Sequence, residues 1–231
     1  MQARMRPGRT AVIGGGRMGT AIAAGLAEVG FGGDDGLVVA EPDAARRALL
    51  EAEYRIRCVE DAAEAVRDAA TVVLAVKPQV MDGVAASLAD ALAPGALVVS
   101  IAAGIPTARI EALLPAGTPV VRVMPNTPAM VYEGMSVVSA GARATREHLE
   151  QVIELFGVLG TAIVVPESLQ DAATAVSGSG PAYFARFAGA LAAAGEANGL
   201  APDVALELAV RTMLGTAELL LAGHTTPAEL V

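Results

Sequence analysis

The chain has 231 residues, of which 54% are hydrophobic, and it carries a formal net charge of −9 at pH 7. That length allows one large domain or two modest ones with a sizeable core, and the acidic balance argues against nucleic acid or an anionic membrane as a partner. Cys58 is the sole cysteine, which excludes an intrachain disulfide and a Cys/His zinc cluster. No apolar run has the length of a membrane span or a signal-peptide core, so we expect a cytoplasmic protein that holds no metal.

The first predicted element is a short strand that leads directly into three glycines. Residues 11–13 are apolar, and Gly14, Gly16 and Gly19 follow in the spacing G-x-G-x-x-G ahead of an Ala-rich helical pattern. Strand, turn and helix in this order are the context in which such glycines hold a dinucleotide pyrophosphate. Gly14 would permit the tight turn, Gly16 would let the backbone approach the phosphates, and Gly19 would let the helix pack close to the strand. We interpret the motif as nucleotide-binding; an ordinary glycine turn is the alternative.

Short apolar strands then alternate with helical segments through the first half of the chain. Continuous Val/Leu/Ile runs are typical of parallel strands that are buried on both faces. Their alternation with helices predicts an α/β fold with a doubly wound, Rossmann-type sheet. The predicted strands cover residues 12–14, 37–40, 55–58, 71–76, 97–101 and 120–124. The first predicted helix follows the glycine motif and ends at about residue 29, and the others cover residues 43–52, 61–68, 79–92 and 107–113.

After Pro125 the pattern changes. Two short strands, residues 136–140 and 162–165, flank an amphipathic helix over residues 145–159 that should complete the far edge of the sheet. From Glu167 onward the sequence predicts helices alone.

This change divides the chain into a dinucleotide-binding domain, residues 1–166, and a helical domain, residues 167–231. The second domain is too small and too apolar to stand alone, so we expect it to pack against a second copy of itself. Apolar residues at helical spacing would form its core or its interface. They are Tyr183, Phe187 and Leu191 in one helix and Leu206, Val210, Met213, Ala217 and Leu220 in the next.

In doubly wound folds, ligands bind outside the carboxyl ends of the strands. Glu41 follows the second strand, 22 positions after Gly19, where a carboxylate would accept hydrogen bonds from the adenosine ribose. Arg46 and Arg47 lie nearby and would suit a 2′-phosphate instead. A solvated helix start is the alternative for all three residues, so the choice between NADH and NADPH stays open.

Further candidate residues follow the next strands. Lys77 is the only lysine of the chain and precedes Pro78, which would begin a helix; a surface lysine is the alternative to a site role. Ala102 and Ala103 follow the fifth strand, and Asn126 follows the sixth. These small and amide side chains would wall a nicotinamide pocket, unless Asn126 only fixes the turn between its flanking prolines.

A serine- and glycine-rich segment, residues 176–183 (VSGSGPAY), opens the helical domain. Ser179 is a good helix N-cap, but capping explains only one serine. We therefore expect the backbone here to approach a ligand or a partner chain. His148 and His224 are expected to be exposed, and no Ser–His or Cys–His pair indicates nucleophilic catalysis.

Five segments together carry a family resemblance: residues 13–18 (IGGGRM), 74–78 (LAVKP), 100–104 (SIAAG), 123–128 (VMPNTP) and 171–183 (DAATAVSGSGPAY). The chain resembles pyrroline-5-carboxylate reductases nearly from end to end. The resemblance implies reduction of 1-pyrroline-5-carboxylate to L-proline by hydride transfer from NADPH or NADH, the last step of proline biosynthesis. It also implies a homodimer built through interlocked C-terminal helices, which in this family often assembles into a decamer.

The resemblance, combined with the strand-end argument, gives the expected site. Lys77, Ser177 and Ser179 are the candidates for catalysis, although none is identified as an essential proton donor. The expected cofactor-binding residues are Ile13, Gly14, Gly15, Gly16, Arg17, Met18, Gly19, Glu41, Asp61, Ala75, Val76, Lys77, Pro78, Ala102, Ala103 and Asn126.

One departure from the family concerns the C-terminus. Similar proteins continue past the position of Val231 into a T-S-P-G-G-T-T loop that binds the substrate carboxylate. We therefore expect the helical domain to be truncated relative to the family.

Two other functions are weighed against this one. A related Rossmann-plus-helical 3-hydroxyacid dehydrogenase would use a lysine in the long helix, yet no lysine follows Lys77. A nucleotide-binding dimerisation module without activity is the non-enzymatic alternative.

Overall fold

A computed structural model describes residues 8–31, 36–223 and 225–231. His224, which we expected to be exposed, lies outside the described residues. The chain divides into two compact units, the first ending at Gly178 and the second beginning at Ser179. None of the helices in the described ranges combines the length and apolar character that a membrane span needs.

The first unit is an eight-stranded sheet with helices between its strands. The strands are β1 (Arg9–Ile13), β2 (Leu37–Ala40), β3 (Arg57–Val59), β4 (Ala69–Leu74), β5 (Leu97–Ser100), β6 (Val120–Met124), β7 (Gly134–Ala140) and β8 (Gly160–Val164). The helices are α1 (Arg17–Glu28), α2 (Ala44–Tyr54), α3 (Ala62–Val66), α4 (Met81–Leu88), α5 (Thr107–Glu111), α6 (Arg146–Gly157) and α7 (Gln170–Ala173).

The strand order is β3-β2-β1-β4-β5-β6-β7-β8. All neighbouring pairs are parallel except β6 and β7, which are antiparallel. The first six strands therefore have the order of a doubly wound dinucleotide-binding sheet. The chain first adds strands on one side of β1 and then, from β4 onward, on the other side. This confirms the predicted fold class, and β7 and β8 complete the far edge as expected.

Successive residues of the central strands alternate between two buried cores. Val12, Val73 and Val99 join Phe156 of α6 on one face, while Leu74 and Met81 belong to the other face. Since both faces are covered by helices, the strands are apolar throughout, which is why the sequence shows continuous runs rather than alternation.

Most predicted bounds are wrong by a few residues, as for the strands predicted over residues 12–14 and 55–58, and two elements differ for a clear physical reason. The strand predicted over residues 71–76 ends at Leu74, because the chain leaves the sheet there while staying apolar. The single helix predicted over residues 79–92 is a 3₁₀ turn, Pro78–Val80, followed by α4, which ends at Leu88. Pro78 nevertheless opens this helical segment as predicted.

The second unit contains α8 (Gly180–Ala197) and α9 (Pro202–Leu221). These helices bury small residues, Ala188 and Ala192 in α8 and Ala205 and Ala209 in α9. The larger apolar side chains are left outside: Tyr183 and Phe187 are each 61% exposed. Of the two roles expected for these residues, an interface fits this exposure better than a core within the second unit, and it stays a prediction.

Candidate functional site

The carboxyl ends of β1, β2 and β4 are joined by backbone hydrogen bonds just beyond the strands. Gly14 N donates to Ala40 O at 2.8 Å, and Ala75 N donates to Ile13 O at 2.8 Å. The turn that follows β1 is thus held between the ends of its two neighbours. This is the switch point of the sheet, the place where doubly wound folds bind ligands.

Two glycines of the turn are required by the fold itself. Gly14 has φ +107°, and a Cβ there would lie 2.8 Å from Ala75 O. A Cβ on Gly19 would lie only 1.9 Å from Gly14 O. The glycine therefore lets α1 lie closer to the turn than a residue with a side chain would allow. The structural roles predicted for both residues are confirmed.

Gly16 is different, because nothing in the chain requires a glycine there. Its φ is −69°, an ordinary value, and no heavy atom lies within 4 Å of the position that a Cβ would occupy. Gly16 is also the N-cap of α1, and no side chain caps the helix start. Its first N–H groups therefore face the open side of the turn, where the helix dipole favours an anion.

A cavity of about 450 Å³ lies outside this turn and is lined by Gly15, Gly16, Arg17, Thr20, Arg46 and Leu49, among others. Open space at Gly16, uncapped N–H groups and two arginines fit the phosphates of a dinucleotide. Within the described ranges no three His, Cys, Asp or Glu side chains come together as a metal site would need.

Glu41 is buried against the glycine turn and is 3% exposed. Its Oε2 accepts from Gly15 N at 2.8 Å, and its Oε1 accepts from Asp43 N at 3.0 Å. Arg46 Nη1 lies 3.5 Å from both carboxylate oxygens. The alternative of a solvated helix start is therefore wrong for Glu41, whose carboxylate joins two successive strand-end loops.

The two nearby arginines have separate roles. Arg47 donates to Glu41 O at 2.7 Å and forms an ion pair with Glu60 at 3.1 Å, so it stabilises the loop between β2 and α2. Arg46 is 56% exposed and is the one of the two that lines the cavity.

The loop after β4 lies against the glycine turn through Ala75 and Val76, whose atoms come within 3.2 Å of the Cβ position of Gly14. Lys77 follows at the strand end, is exposed, and forms no ion pair with any residue of the described ranges.

The other predicted cofactor-binding residues differ in burial and in their contacts. Ile13 and Ala102 are buried, whereas Ala103 and Arg17 are exposed. Asp61 caps α3, accepting from Ala63 N at 2.9 Å. Met18 packs against the core between the sheet and α1.

Asn126 uses both ends of its side-chain amide within the chain. Oδ1 accepts from Met135 N at 2.9 Å, and Nδ2 donates to Ser177 O at 3.1 Å. The amide therefore ties the end of β6 to the start of β7 and to the serine-rich segment. These contacts reach beyond the turn between the flanking prolines, which was one predicted role, and the predicted role as a wall of the nicotinamide pocket stays a prediction.

The serine-rich segment is helical rather than a loop. Residues Thr174–Gly178 form a π-helical turn, and Ser177 Oγ donates to Ala173 O at 3.1 Å. Ser179 stands at the N-cap of α8 as predicted, but its side chain caps nothing. The reason is that the chain enters α8 already helical, with φ −88° and ψ −20° at Ser179, instead of the extended conformation that capping requires.

A buried charge network near this segment was missed from the sequence. Arg122 of β6 is 5% exposed and lies 3.5 Å from Glu167 and from Asp171. Glu167 also accepts from Thr107 N at 2.8 Å and from Thr107 Oγ1 at 2.7 Å. The sequence did contain a sign of this network. Arg122 lies inside the apolar run VVRVM, and a buried cation needs a negatively charged partner.

Neither His148 nor Cys58 is arranged for catalysis. His148 Nδ1 accepts from Thr145 N at 3.0 Å and so takes part in the cap of α6. Burial, with a smaller contribution from Glu51, raises the pKa of the Cys58 thiol to about 11. A thiol with so high a pKa is almost entirely protonated at neutral pH and is a poor nucleophile.

Two family models match the chain. The family described as NADP oxidoreductase, coenzyme F420-dependent, matches residues 9–104. The family described as pyrroline-5-carboxylate reductase dimerisation matches residues 167–231. The second match starts after Pro166, whereas the first compact unit extends to Gly178. The domain boundary near Pro166 therefore stays a prediction.

Similar proteins extend over most of the chain. A pyrroline-5-carboxylate reductase from Pseudomonas aeruginosa is 45% identical over 223 residues, which are 96% of this chain and 81% of that protein. The structure of a pyrroline-5-carboxylate reductase from Coxiella burnetii has a TM-score of 0.91 at 30% identity and covers 97% of this chain and 84% of that one. The structure of the Plasmodium falciparum pyrroline carboxylate reductase, solved with NADP bound, has a TM-score of 0.83 at 26% identity. The match covers 97% of this chain and 86% of that one.

Gly19→Ala is expected to lower the free energy of unfolding by roughly 3 kcal/mol, because α1 would have to move away from the turn. Gly83→Ala is the matched control, since Gly83 is exposed in α4 with no heavy atom near its Cβ position. It should raise stability by about 0.5–1 kcal/mol. Urea denaturation measures both, and equal effects would contradict the close contact at Gly19.

Asn126→Ala is expected to cost about 1–3 kcal/mol of stability, because the substitution leaves Met135 N–H without its acceptor in a partly buried place. Asn198→Ala is the control: Asn198 also donates to a backbone carbonyl, Ala194 O at 2.8 Å, but it is exposed. Its loss should stay within about 0.5 kcal/mol. A chemical-denaturation comparison that found the two losses alike would show that the amide of Asn126 does not brace the loops.

Proposed function

The chain belongs to the pyrroline-5-carboxylate reductase family, and we propose that it reduces 1-pyrroline-5-carboxylate to L-proline with NADPH or NADH, the last step of proline biosynthesis. The family predicted from five sequence segments is confirmed by relatives that are 45% identical over nearly the whole chain. These relatives do not favour the hydroxyacid dehydrogenase or the inactive binding module. The enzyme is thus an oxidoreductase that acts on a cyclic C=N bond.

The observation that carries the proposal for the cofactor is the open space at Gly16. Gly14 and Gly19 are explained by the chain's own packing, whereas no neighbouring atom of the described residues accounts for Gly16. A pyrophosphate at the amino end of α1 needs that space, because a Cβ would hold it away from the backbone N–H groups.

The residues at the switch point have the following proposed roles. The glycine turn and the start of α1 hold the pyrophosphate, and Glu41 accepts from the adenosine ribose. Lys77 lies at the end of β4 with its charge free to contact the cofactor. The remaining strand-end residues, proposed as walls of the cofactor cleft, are Asp61, Ala75, Val76, Pro78, Ala102, Ala103 and Asn126.

The bound cofactor supplies a hydride to the imine carbon, and the imine nitrogen gains a proton. Binding and positioning are the chain's own contribution, and no covalent intermediate is needed. Ser177 already donates its hydroxyl proton to Ala173 O. Ser179, whose hydroxyl is not used for capping, is the better placed of the two serines to donate to a ligand.

The match to the dimerisation family shows that the C-terminal segment belongs to an oligomerising class. We place the enzyme in the cytoplasm as a homodimer that covers the exposed apolar residues of α8 and α9, and further assembly to a decamer is part of the same proposal. Tyr183, Phe184 and Phe187, each 61% exposed, would be the centre of that interface.

The test of the activity is oxidation of NADPH or NADH, followed by absorbance, on addition of 1-pyrroline-5-carboxylate to the full-length protein. Formation of proline in equal amount is the expected result. A protein that bound the reduced dinucleotide tightly but left the cyclic imine unchanged would rule out the reductase.

Gly16→Ala is expected to weaken binding of the reduced dinucleotide about tenfold or more, which is about 1.4 kcal/mol. The fold should be retained, since the new Cβ meets no atom of the chain. Titration by nucleotide fluorescence measures the affinity, and Gly83→Ala, in α4 and not among the residues that line the cavity, should bind as the native protein does. Unchanged affinity in Gly16→Ala would refute the placement of the pyrophosphate.

A further inference from the structure

The carboxylate of Glu41 is a fixed negative charge in contact with two residues that line the cavity, Gly15 and Arg46. Two backbone N–H groups hold it, from Gly15 at 2.8 Å and from Asp43 at 3.0 Å. Its side chain is 4% exposed. A Cβ on Gly15 would lie 3.1 Å from Glu41 Cβ and Cγ, so the packing leaves the side chain little room to turn away.

The guanidinium of Arg46 is by contrast weakly held. Nη1 lies 3.5 Å from both oxygens of Glu41, and Nε lies 3.9 Å from Asp43 Oδ2. The side chain is 56% exposed. Moving it outward would uncover the Glu41 carboxylate to the cavity without disturbing the two backbone hydrogen bonds.

The charges on this side of the cavity do not balance. Arg46 is shared by two carboxylates, Glu41 and Asp43. Arg47 is engaged by Glu60 at 3.1 Å. Arg17 is exposed in the first turn of α1, at the end of the cavity where the pyrophosphate is proposed to lie. With Arg47 paired to Glu60, the carboxylates of Glu41 and Asp43 share one cation, Arg46, which leaves one net negative charge beside that arginine.

We propose that Glu41 makes this chain select NADH over NADPH. The inference rests on the proposed function, which leaves the two cofactors open. The ribose hydroxyls of NADH can donate to the carboxylate in place of Arg46. A 2′-phosphate would bring about two further negative charges beside a carboxylate that cannot withdraw, in a partly buried place where charges are poorly screened.

The arginines offer the opposite outcome, in which Arg46 swings out and binds the 2′-phosphate. In that arrangement the carboxylate of Glu41 would lose its cation and gain no 2′-hydroxyl donor, whereas the 2′-hydroxyl of NADH would donate to it as Arg46 leaves. The contacts of Glu41 therefore favour NADH.

The experiment compares equilibrium dissociation constants for NADH and NADPH by fluorescence titration, without substrate. The native protein should bind NADH at least about tenfold more tightly. Glu41→Gln should reduce the ratio of the NADPH dissociation constant to the NADH dissociation constant about tenfold. Asp43→Asn, which retains the cap of α2 because asparagine caps as well as aspartate, should reduce the ratio by a smaller factor.

Arg46→Gln should change the ratio in the other direction, weakening NADPH two- to threefold relative to NADH, because it removes the only cation shared by the two carboxylates. Arg146→Gln is the matched control: Arg146 is 85% exposed on α6 and pairs with Glu150. It should leave the ratio unchanged. Raising the salt concentration should reduce the native ratio.

Tighter binding of NADPH by the native protein would overturn the inference, as would an unaltered ratio in both Glu41→Gln and Asp43→Asn. These results would leave the proposed function intact. Absence of binding for both dinucleotides would instead remove the proposed function, and the selectivity with it.

Discussion

The contact between α1 and the turn before it determines the geometry of the whole site. A Cβ on any other residue at position 19 would lie 1.9 Å from Gly14 O, which is too close for the two atoms to coexist. The helix can therefore begin directly beyond β1, with its free N–H groups at the switch point of the sheet. Ala75, the first residue after β4, donates to Ile13 O and so contacts the same turn. One missing side chain thus brings a helix dipole and two strand ends to a single place.

Much of this arrangement could be predicted from local sequence. The strands Leu37–Ala40 and Val120–Met124 have the bounds predicted from their apolar runs, since turn-forming residues flank both. The conformations of Gly14 and Gly19 follow from their spacing. The predicted end of β4 was wrong because the sequence stays apolar beyond the last strand residue. Ala75 and Val76 are apolar, but they leave the sheet and pack on the glycine turn.

The parts that could not be predicted depend on contacts between distant residues. Asn126 donates to Ser177, 51 residues away, and Thr107 donates to Glu167, 60 residues away. No spacing rule gives such pairs, because only the folded sheet brings their elements together. Similarly, the failure of Ser179 to cap α8 depends on the π-helical turn before it, which has no sequence signature as clear as a Ser-Gly pair. The assignment of cofactor and catalytic residues stays a prediction.

The hydrogen bond from Gly15 N to Glu41 also limits how this scaffold can be re-engineered. It joins two successive βα loops whose partners are 26 residues apart in the chain. A grafted loop that placed no backbone N–H where Gly15 N lies would leave the buried carboxylate of Glu41 without one of its two backbone donors, unless Glu41 were replaced at the same time. The two loops are therefore a single cassette, to be transplanted together or left alone.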